Sequence, residues 1–234
     1  IKTDFDSGSI GEYRINNGNI SFFLRQENNK ISQWFYFQVL NNTGRKPSVF
    51  ILENAGESMY PNGWQGYFPV YSVDNVVWQK VDSSKYKNKK LEFVIQRPTK
   101  NFFVAWYQPY SYEKYLSWLK VIKNSPIVKI RDVNEGIKTL FLGFPKIASV
   151  LIVGRQHPGE TMSSFFIEGL INRLISQDAI SRQLLEKIQI AIVPLLNPDG
   201  VICGNHRYDK YGIDYNRSWG EINAPLAIKN IREL

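Results

Sequence analysis

A histidine and a glutamate three residues apart, His157 and Glu160, directly follow the apolar run of residues 149–153. Pro158 and Gly159 between them predict a tight turn, because proline fixes its own φ and glycine lets the backbone fold back without a Cβ clash. Such a turn brings both side chains to one metal ion. Neutral imidazole plus carboxylate is the ligand chemistry of a catalytic zinc, which takes three protein ligands and leaves a fourth position for water. The alternative interpretation is a surface turn that carries the two residues by chance.

Three further polar clusters follow this HPGE sequence along the chain. Residues 197–200 (NPDG) come after a second apolar run, residues 188–196, and precede residues 204–207 (GNHR) and 214–217 (DYNR). Taken singly, each cluster is an ordinary polar turn. In this order and spacing, the four clusters resemble the M14 family of zinc carboxypeptidases, and in particular its cytosolic carboxypeptidase subfamily.

The resemblance extends over nearly the whole chain. The helix-like residues 161–170 after HPGE are similar to that subfamily, as are residues 34–37, 63–64 and 108–112 upstream. The fold implied is a small antiparallel β-sandwich followed by a mixed-sheet α/β zinc carboxypeptidase domain.

The resemblance also implies a role for each matching residue. His157 and Glu160 supply two of three Zn²⁺ ligands, and Arg207 polarises the scissile carbonyl and stabilises the oxyanion. Asn216 and Arg217 hold the terminal carboxylate of the substrate. The chemistry suits that role, because a planar guanidinium makes two parallel charge-assisted hydrogen bonds to a carboxylate.

Four neighbouring residues are expected to serve structure rather than chemistry. We expect Asp214 to anchor its loop and Arg155 to form an ordinary ion pair. His206 occupies the variable position of GNHR and is not expected to bind metal. Tyr215 stands where the family often has leucine, and the change threatens nothing essential.

The family pattern is incomplete in this chain. The family needs a third ligand, a later histidine, and a catalytic glutamate later still, but the chain has only two histidines. Its last residues, 226–234, read as a helix without the glycine or asparagine that usually closes one. The expectation is therefore the amino-terminal part of a longer enzyme, inactive on its own.

Composition narrows the classes of protein. A chain of 234 residues with 43% hydrophobic content suits two modest domains. No apolar run reaches the ~18 residues of a membrane span. The first residues lack the apolar stretch of a signal peptide, although the possibility of a signal peptide that has already been removed stays open. The single cysteine, Cys203, fits a reducing compartment.

The positive charges behind the net charge of +8 are scattered along the chain, apart from lysines at 85, 87, 89 and 90, which read as a solvated turn. We therefore predict a cytoplasmic protein without a nucleic-acid or membrane partner.

Residues 1–112 are predicted to form the amino-terminal β-sandwich domain. Short aromatic or β-branched runs, bounded by turn residues, indicate strands at 20–24, 33–39, 48–52, 76–81, 91–95 and 102–106. Their rings suit either stacking on a sugar or a packed core. The core is favoured because the rings lie within apolar runs.

Residues 113–234 are predicted to form the amino-terminal part of the α/β catalytic domain. The pattern indicates helices at 115–119, 161–175 and 182–187, with strands at 128–130 and 139–142, one ending at Gln156, and one at 188–196. On the second helix, Met162, Phe165, Phe166, Gly169 and Leu170 are predicted to form the buried face. The apolar strands indicate a covered sheet, and HPGE and NPDG both follow strand ends, where α/β sheets bind ligands.

The favoured function is removal of a carboxy-terminal amino acid from a peptide or protein by metal-activated water. Two alternatives stay open. Deacylases of the aspartoacylase type use a similar HxxE and D-x-NR pair on N-acyl amino acids. An inactive fragment or pseudoenzyme that binds peptide termini would also account for the missing ligand.

Overall fold

A computed structural model of the chain describes residues 1–41, 47–134, 136–144 and 148–233. Contacts divide the chain into two units, which are Ile1–Pro109 with Ile202–His206, and Tyr110–Val201 with Arg207–Leu234. The domain boundary predicted at residue 112 stays a prediction.

The first unit is built from short strands, as its aromatic and β-branched runs indicate. They are β1 (Tyr13–Asn16), β2 (Asn19–Phe22), β3 (Gln26–Glu27), β4 (Lys30–Ile31), β5 (Tyr36–Val39), β6 (Ser48–Leu52), β7 (Val70–Ser72), β8 (Gln79–Lys80), β9 (Ser83–Lys87), β10 (Lys90–Ile95) and β11 (Phe102–Ala105). The sheets run in the orders β1-β2-β6-β10-β9, β5-β11-β7-β8 and β3-β4. Among the described strands of this unit, β2 and β6 pair in parallel and the other pairs are antiparallel.

Aromatic side chains from both larger sheets form the core of the first unit. Phe50 and Phe93 are register partners on β6 and β10, and their rings stack with centroids 4.9 Å apart. Phe37 on β5 and Phe102 on β11 join the same buried cluster from the other sheet. The predicted sandwich is confirmed, and so is the use of these rings as a packed core.

The lysine-rich stretch of the first unit forms the β9–β10 hairpin. Asn88 and Lys89 at its tip both have positive φ, 52° and 63°, which suits a tight two-residue hairpin turn. Lys85, Lys87 and Lys90 are exposed, so the prediction of a solvated turn is confirmed.

The second unit alternates helices and strands. They are α1 (Tyr112–Ile122), β12 (Val128–Asn134), β13 (Ile137–Leu142), β14 (Ala148–Val153), α2 (Met162–Ile175), α3 (Ala179–Lys187), β15 (Ile188–Val193), α4 (Pro198–Ile202) and α5 (Leu226–Arg232). The sheet order is β12-β13-β15-β14, with β14 parallel to β15 and the other pairs antiparallel. The predicted mixed α/β fold is confirmed.

Side chains alternate between two apolar clusters across this mixed sheet. Ile190 and Ile192 of β15 join residues of α1 and α2 in one cluster, whereas Val193 joins Ala227 and Ile231 of α5 in another. Because successive side chains of a strand point to opposite faces, helices pack on both faces of the sheet at β15.

Two predictions about this unit are wrong. Strand β14 is not covered in the described structure, because Val150 and Leu151 are 42% and 46% exposed. The predicted buried face of α2 is also wrong, since Met162 and Phe166 are 50% and 63% exposed. The buried residues of α2 are instead Ser164, Ile167, Ile171 and Leu174.

The described helices offer no candidate for a membrane span, since none is both long enough and apolar enough to cross a bilayer.

Candidate functional site

The site begins where β14 ends and the chain makes a sharp change of direction. Gly154 permits this, because a Cβ there would lie 2.4 Å from Cδ1 of Ile167 and 2.9 Å from the carbonyl oxygen of Pro194. Arg155 follows with a φ of 52°. These two residues end the strand at Val153, three residues before the predicted end at Gln156.

The HPGE turn brings His157 and Glu160 together. The Glu160 N–H donates to the carbonyl of His157 at 3.2 Å, which closes the turn. Nδ1 of His157 lies 2.9 Å from Oε1 of Glu160. The imidazole is nearly buried, at 7% exposure, whereas the carboxylate is 49% exposed. The imidazole of His157 is therefore fixed, whereas the carboxylate of Glu160 can adjust its position.

Asp214 occupies the opposite side of the His157 ring. Its Oδ1 lies 3.2 Å from Nε2 of His157, and its Oδ2 accepts a hydrogen bond from Nε of Arg207 at 2.6 Å. A carboxylate on one ring nitrogen fixes the tautomer and leaves the other nitrogen as the ligand. The geometry therefore presents Nδ1, the atom that faces Glu160, to any metal ion.

The same two neighbours set the ionisation of Asp214. Burial alone would raise the pKa of this carboxyl, but the hydrogen bond and charge of Arg207, together with those of His157, hold the pKa below its ordinary value of 3.8. Asp214 is therefore ionised at neutral pH and joins the His157–Glu160 pair to Arg207.

Replacing Asp214 with asparagine is expected to lower the unfolding free energy by about 2 kcal/mol at pH 7, because Arg207 loses a charged partner in a mostly buried position. A lowered folded-state pKa stabilises the fold fully above the unfolded-state pKa, and that stabilisation disappears as pH falls through the folded-state value. Urea titrations should therefore show the two proteins converging below about pH 4.

The matched control for this change is Asp199→Asn, which removes an ion pair with Lys210 that is nearly half exposed. Its effect should be much smaller at every pH, because solvent screens such pairs. A constant difference between wild type and Asp214→Asn from pH 7 to pH 3 would contradict the assigned ionisation.

The NPDG sequence contacts the HPGE turn and the residue that leads into it. Asn197 is fully buried, its N–H donates to the carbonyl of Arg155 at 3.2 Å, and its Oδ1 accepts from the Gly200 N–H at 2.9 Å. A Cβ on Gly200 would lie 2.4 Å from Cγ of Pro158. The motif thus packs directly against the turn that carries the pair.

A long-range hydrogen bond also holds Gln156, the residue that directly precedes the HPGE turn. Nε1 of Trp219 donates to Oε1 of Gln156 at 2.6 Å. Sequence reasoning missed this contact, because nothing local links a glutamine before HPGE to a tryptophan 63 residues later.

Asn216 and Arg217 lie on a short 3₁₀ helix, Tyr215–Arg217, which Asp214 caps. Oδ1 of Asp214 accepts from the Asn216 N–H at 2.9 Å. Both side chains are exposed, and Nη1 of Arg217 donates to the carbonyl of Asn216 at 3.2 Å. Asp214 therefore connects this helix to Arg207 and His157 through its two oxygens, as the anchoring role predicted for it requires.

His206 is buried within the first unit. Its ring packs edge-to-face on Trp106 with centroids 5.0 Å apart, and the backbone N–H of His206 donates to Oε2 of Glu27 at 2.7 Å. Arg25 also holds this segment, since its Nη2 donates to the Cys203 carbonyl at 2.9 Å. Sequence reasoning missed Arg25 and Glu27, which carry no motif of their own.

Within residues 1–41, 47–134, 136–144 and 148–233, no group of three or more His, Cys, Asp or Glu side chains is placed to hold a metal ion. The His157–Glu160 pair fits two positions of a zinc site, by ligand type and by the fixed orientation of the ring. Asp214 does not add a third, because it already faces the other nitrogen of the same ring.

Family models match both halves of the chain. A cytosolic carboxypeptidase N-terminal domain matches residues 1–107, and a zinc carboxypeptidase domain matches residues 111–230. The chain therefore belongs to the zinc carboxypeptidase family, as the resemblance of its motifs indicated.

Within the family, relatives point to the cytosolic carboxypeptidases. The chain is 29% identical to cytosolic carboxypeptidase 6 of Mus musculus over 245 residues, which are 92% of this chain and 45% of the relative. It is 30% identical over 233 residues to an uncharacterized protein of Zymomonas mobilis, covering 96% of this chain and 60% of that one. The chain thus spans about half the length of these relatives.

Solved structures show the same fold at similar identity. A metallo-carboxypeptidase from Burkholderia cenocepacia superimposes with a TM-score of 0.91 at 30% identity, covering 99% of this chain and 66% of that one. A metallo-carboxypeptidase from Pseudomonas aeruginosa, in complex with (2-guanidinoethylmercapto)succinic acid, gives a TM-score of 0.90 at 30% identity, with 99% and 65% covered.

Proposed function

We propose that this chain carries part of the active site of a zinc-dependent carboxypeptidase that removes a carboxy-terminal amino acid from peptides or proteins. The observation that carries the proposal is the His157 ring, held by Asp214 on Nε2 and facing Glu160 with Nδ1. A ring fixed in this way is a preformed half of a metal site.

His157 and Glu160 would hold the zinc ion. When bound, zinc supplies Lewis-acid polarisation of the scissile carbonyl and lowers the pKa of a coordinated water. The half-exposed Glu160 has room to adjust its carboxylate, whereas His157 is fixed by burial and by Asp214.

Arg207 would stabilise the negative charge that develops on the scissile carbonyl oxygen. Its side chain is only 12% exposed, and Oδ2 of Asp214 holds Nε, which orients the guanidinium. A preorganised donor of this kind contributes about 3–4 kcal/mol to the transition state.

Asn216 and Arg217 would bind the terminal carboxylate of the substrate. Both side chains are exposed on the short helix that Asp214 caps, so an incoming peptide end can reach them. A guanidinium fork matches a carboxylate in geometry and charge. This pair would make the enzyme an exopeptidase.

The names of the cytosolic relatives support a cytosolic location for this chain as well.

A second candidate is a form of the protein that binds peptide ends without turnover. It is favoured by the ligand set, since the described residues offer a pair rather than a group of three. In that case Asn216 and Arg217 would keep their role, whereas Arg207 would serve binding alone.

The test is an assay of the full-length gene product on peptides with free carboxyl ends and on N-acyl amino acids. We expect release of single carboxy-terminal residues, loss of turnover with a zinc chelator, and recovery with added zinc. Turnover of N-acyl amino acids alone would instead identify a deacylase. Peptide binding without hydrolysis, in zinc-replete protein, would identify the inactive form.

A further inference from the structure

Arg155 has a backbone conformation that its residue type rarely adopts. Its φ of 52° lies in the left-handed region, where residues other than glycine, asparagine and aspartate are uncommon. The residue is also buried, with 3% of its surface exposed. Such outliers persist where the surrounding structure fixes them, and they cluster at functional sites.

The guanidinium of Arg155 donates hydrogen bonds to the middle of the HPGE turn. Nε and Nη2 both donate to the carbonyl of Pro158, at 2.9 and 2.5 Å. Nη1 donates to the carbonyl of Tyr110 at 3.1 Å and to Oγ of Ser164 on α2 at 3.0 Å. Through these hydrogen bonds, the guanidinium connects the carbonyl of Pro158 to the carbonyl of Tyr110 and to the hydroxyl of Ser164, all within the second unit.

The backbone of Arg155 makes a second connection to the turn. Its N–H donates to Oγ of Ser163 at 3.2 Å, and that hydroxyl donates to the carbonyl of Glu160 at 3.0 Å. One residue thus contacts the turn at Pro158 directly and at Glu160 through Ser163.

We propose that Arg155 is a positioning residue that sets the spacing and direction of His157 and Glu160 as metal ligands. The inference rests on the proposed metal-binding function of that pair. Holding the Pro158 carbonyl fixes the direction in which the chain leaves His157, and holding the Glu160 carbonyl fixes where its side chain starts. The guanidinium binds two carbonyl oxygens and the Ser164 hydroxyl, and the ion pair expected from the sequence stays a prediction.

The test is zinc binding by the chain, measured by titration calorimetry with zinc as the probe, for wild type and Arg155→Lys. Lysine keeps the charge but cannot bind one carbonyl with two N–H groups and reach two further acceptors. We expect zinc affinity to fall about 10- to 100-fold, as for other residues that orient metal ligands. Cobalt-loaded protein should also show a changed visible absorption spectrum, which a purely structural role would not produce.

The matched control is Arg173→Lys, since Arg173 on α2 also donates to serine hydroxyls but lies away from the turn. Its zinc affinity should stay within about twofold of wild type. Wild-type affinity and an unchanged cobalt spectrum in folded Arg155→Lys would overturn the proposal.

Two further variants keep the result interpretable. If Arg155→Lys does not fold, Ser163→Ala removes only the second connection and should still lower zinc affinity about threefold or more. Unchanged affinity in that variant would overturn the inference. His157→Ala identifies the site itself: if it binds zinc as tightly as wild type, the proposed function fails rather than the role of Arg155.

Discussion

Replacing His157 with alanine in the full-length gene product is expected to lower kcat/KM at least ~10⁴-fold, which corresponds to about 5.4 kcal/mol of transition-state stabilisation. The reason is loss of zinc, because the ring is the one ligand of the pair that burial and Asp214 hold in place. Glu160→Gln should have a similar effect, since it removes the negative charge at nearly constant volume. Both variants should contain less than one-tenth of the wild-type zinc by elemental analysis.

The matched control for this loss is His206→Asn, at the other histidine of the chain. His206 packs against Trp106 in the first unit, so this variant should keep its zinc even where its stability falls. Zinc that is retained in His157→Ala but lost in His206→Asn would show that the metal centre is assigned to the wrong histidine.

The wild-type enzyme is expected to reject peptides whose carboxyl end is amidated. Amidation removes the negative charge that Arg217 is proposed to bind, and it leaves a cation without its partner in the enzyme–substrate complex. We expect kcat/KM to fall roughly 100-fold, about 2.7 kcal/mol, on amidation. Steady-state kinetics on matched free and amidated peptides measure the difference.

Variants at Arg217 separate this contact from general electrostatics. Arg217→Ala should cleave free and amidated peptides almost equally poorly, because the variant and the amide each remove the same contact. Arg217→Lys should recover about tenfold of the preference, since an ammonium lacks the two-pronged geometry. Arg131→Ala, which removes an exposed charge on β12, should keep the full preference. Equal turnover of free and amidated peptides by the wild type would contradict the carboxypeptidase assignment.

The proximity of His157 and Glu160 follows from local chemistry. Three residues of separation and a Pro-Gly turn between them leave few arrangements, so the sequence alone predicts that the two side chains meet. Their role as ligands stays a prediction. The link from His157 to Asp214 spans 57 residues. Such a contact depends on how the elements pack, and only the family resemblance placed Asp214 near the site at all.

The buried face of α2 shows how counting apolar residues fails. Met162 and Phe166 fit a helical stripe, yet the helix buries Ser164 instead. Ser164 lies inside because its hydroxyl accepts from the Arg155 guanidinium. The other buried residues, Ile167, Ile171 and Leu174, form a second apolar stripe, so the hydrophobic pattern offered two faces and did not decide between them.

Side-chain capping explains a strand that is shorter than predicted. The strand expected over residues 76–81 is only Gln79–Lys80. Oδ1 of Asp74 accepts from the N–H groups of Val76 and Val77, each at 2.8 Å, and this turns the chain before the strand begins. Aspartate competes with sheet pairing in this way, which the β-branched valines alone did not reveal.

Anomalous diffraction at the zinc edge, on crystals of the chain grown with zinc, shows whether His157 and Glu160 bind one zinc ion. We expect a peak about 2.0–2.2 Å from both Nδ1 of His157 and a carboxylate oxygen of Glu160, with Nε2 of the ring still facing Asp214. A zinc peak at His206, or on Nε2 of His157, with none between His157 and Glu160, would contradict it.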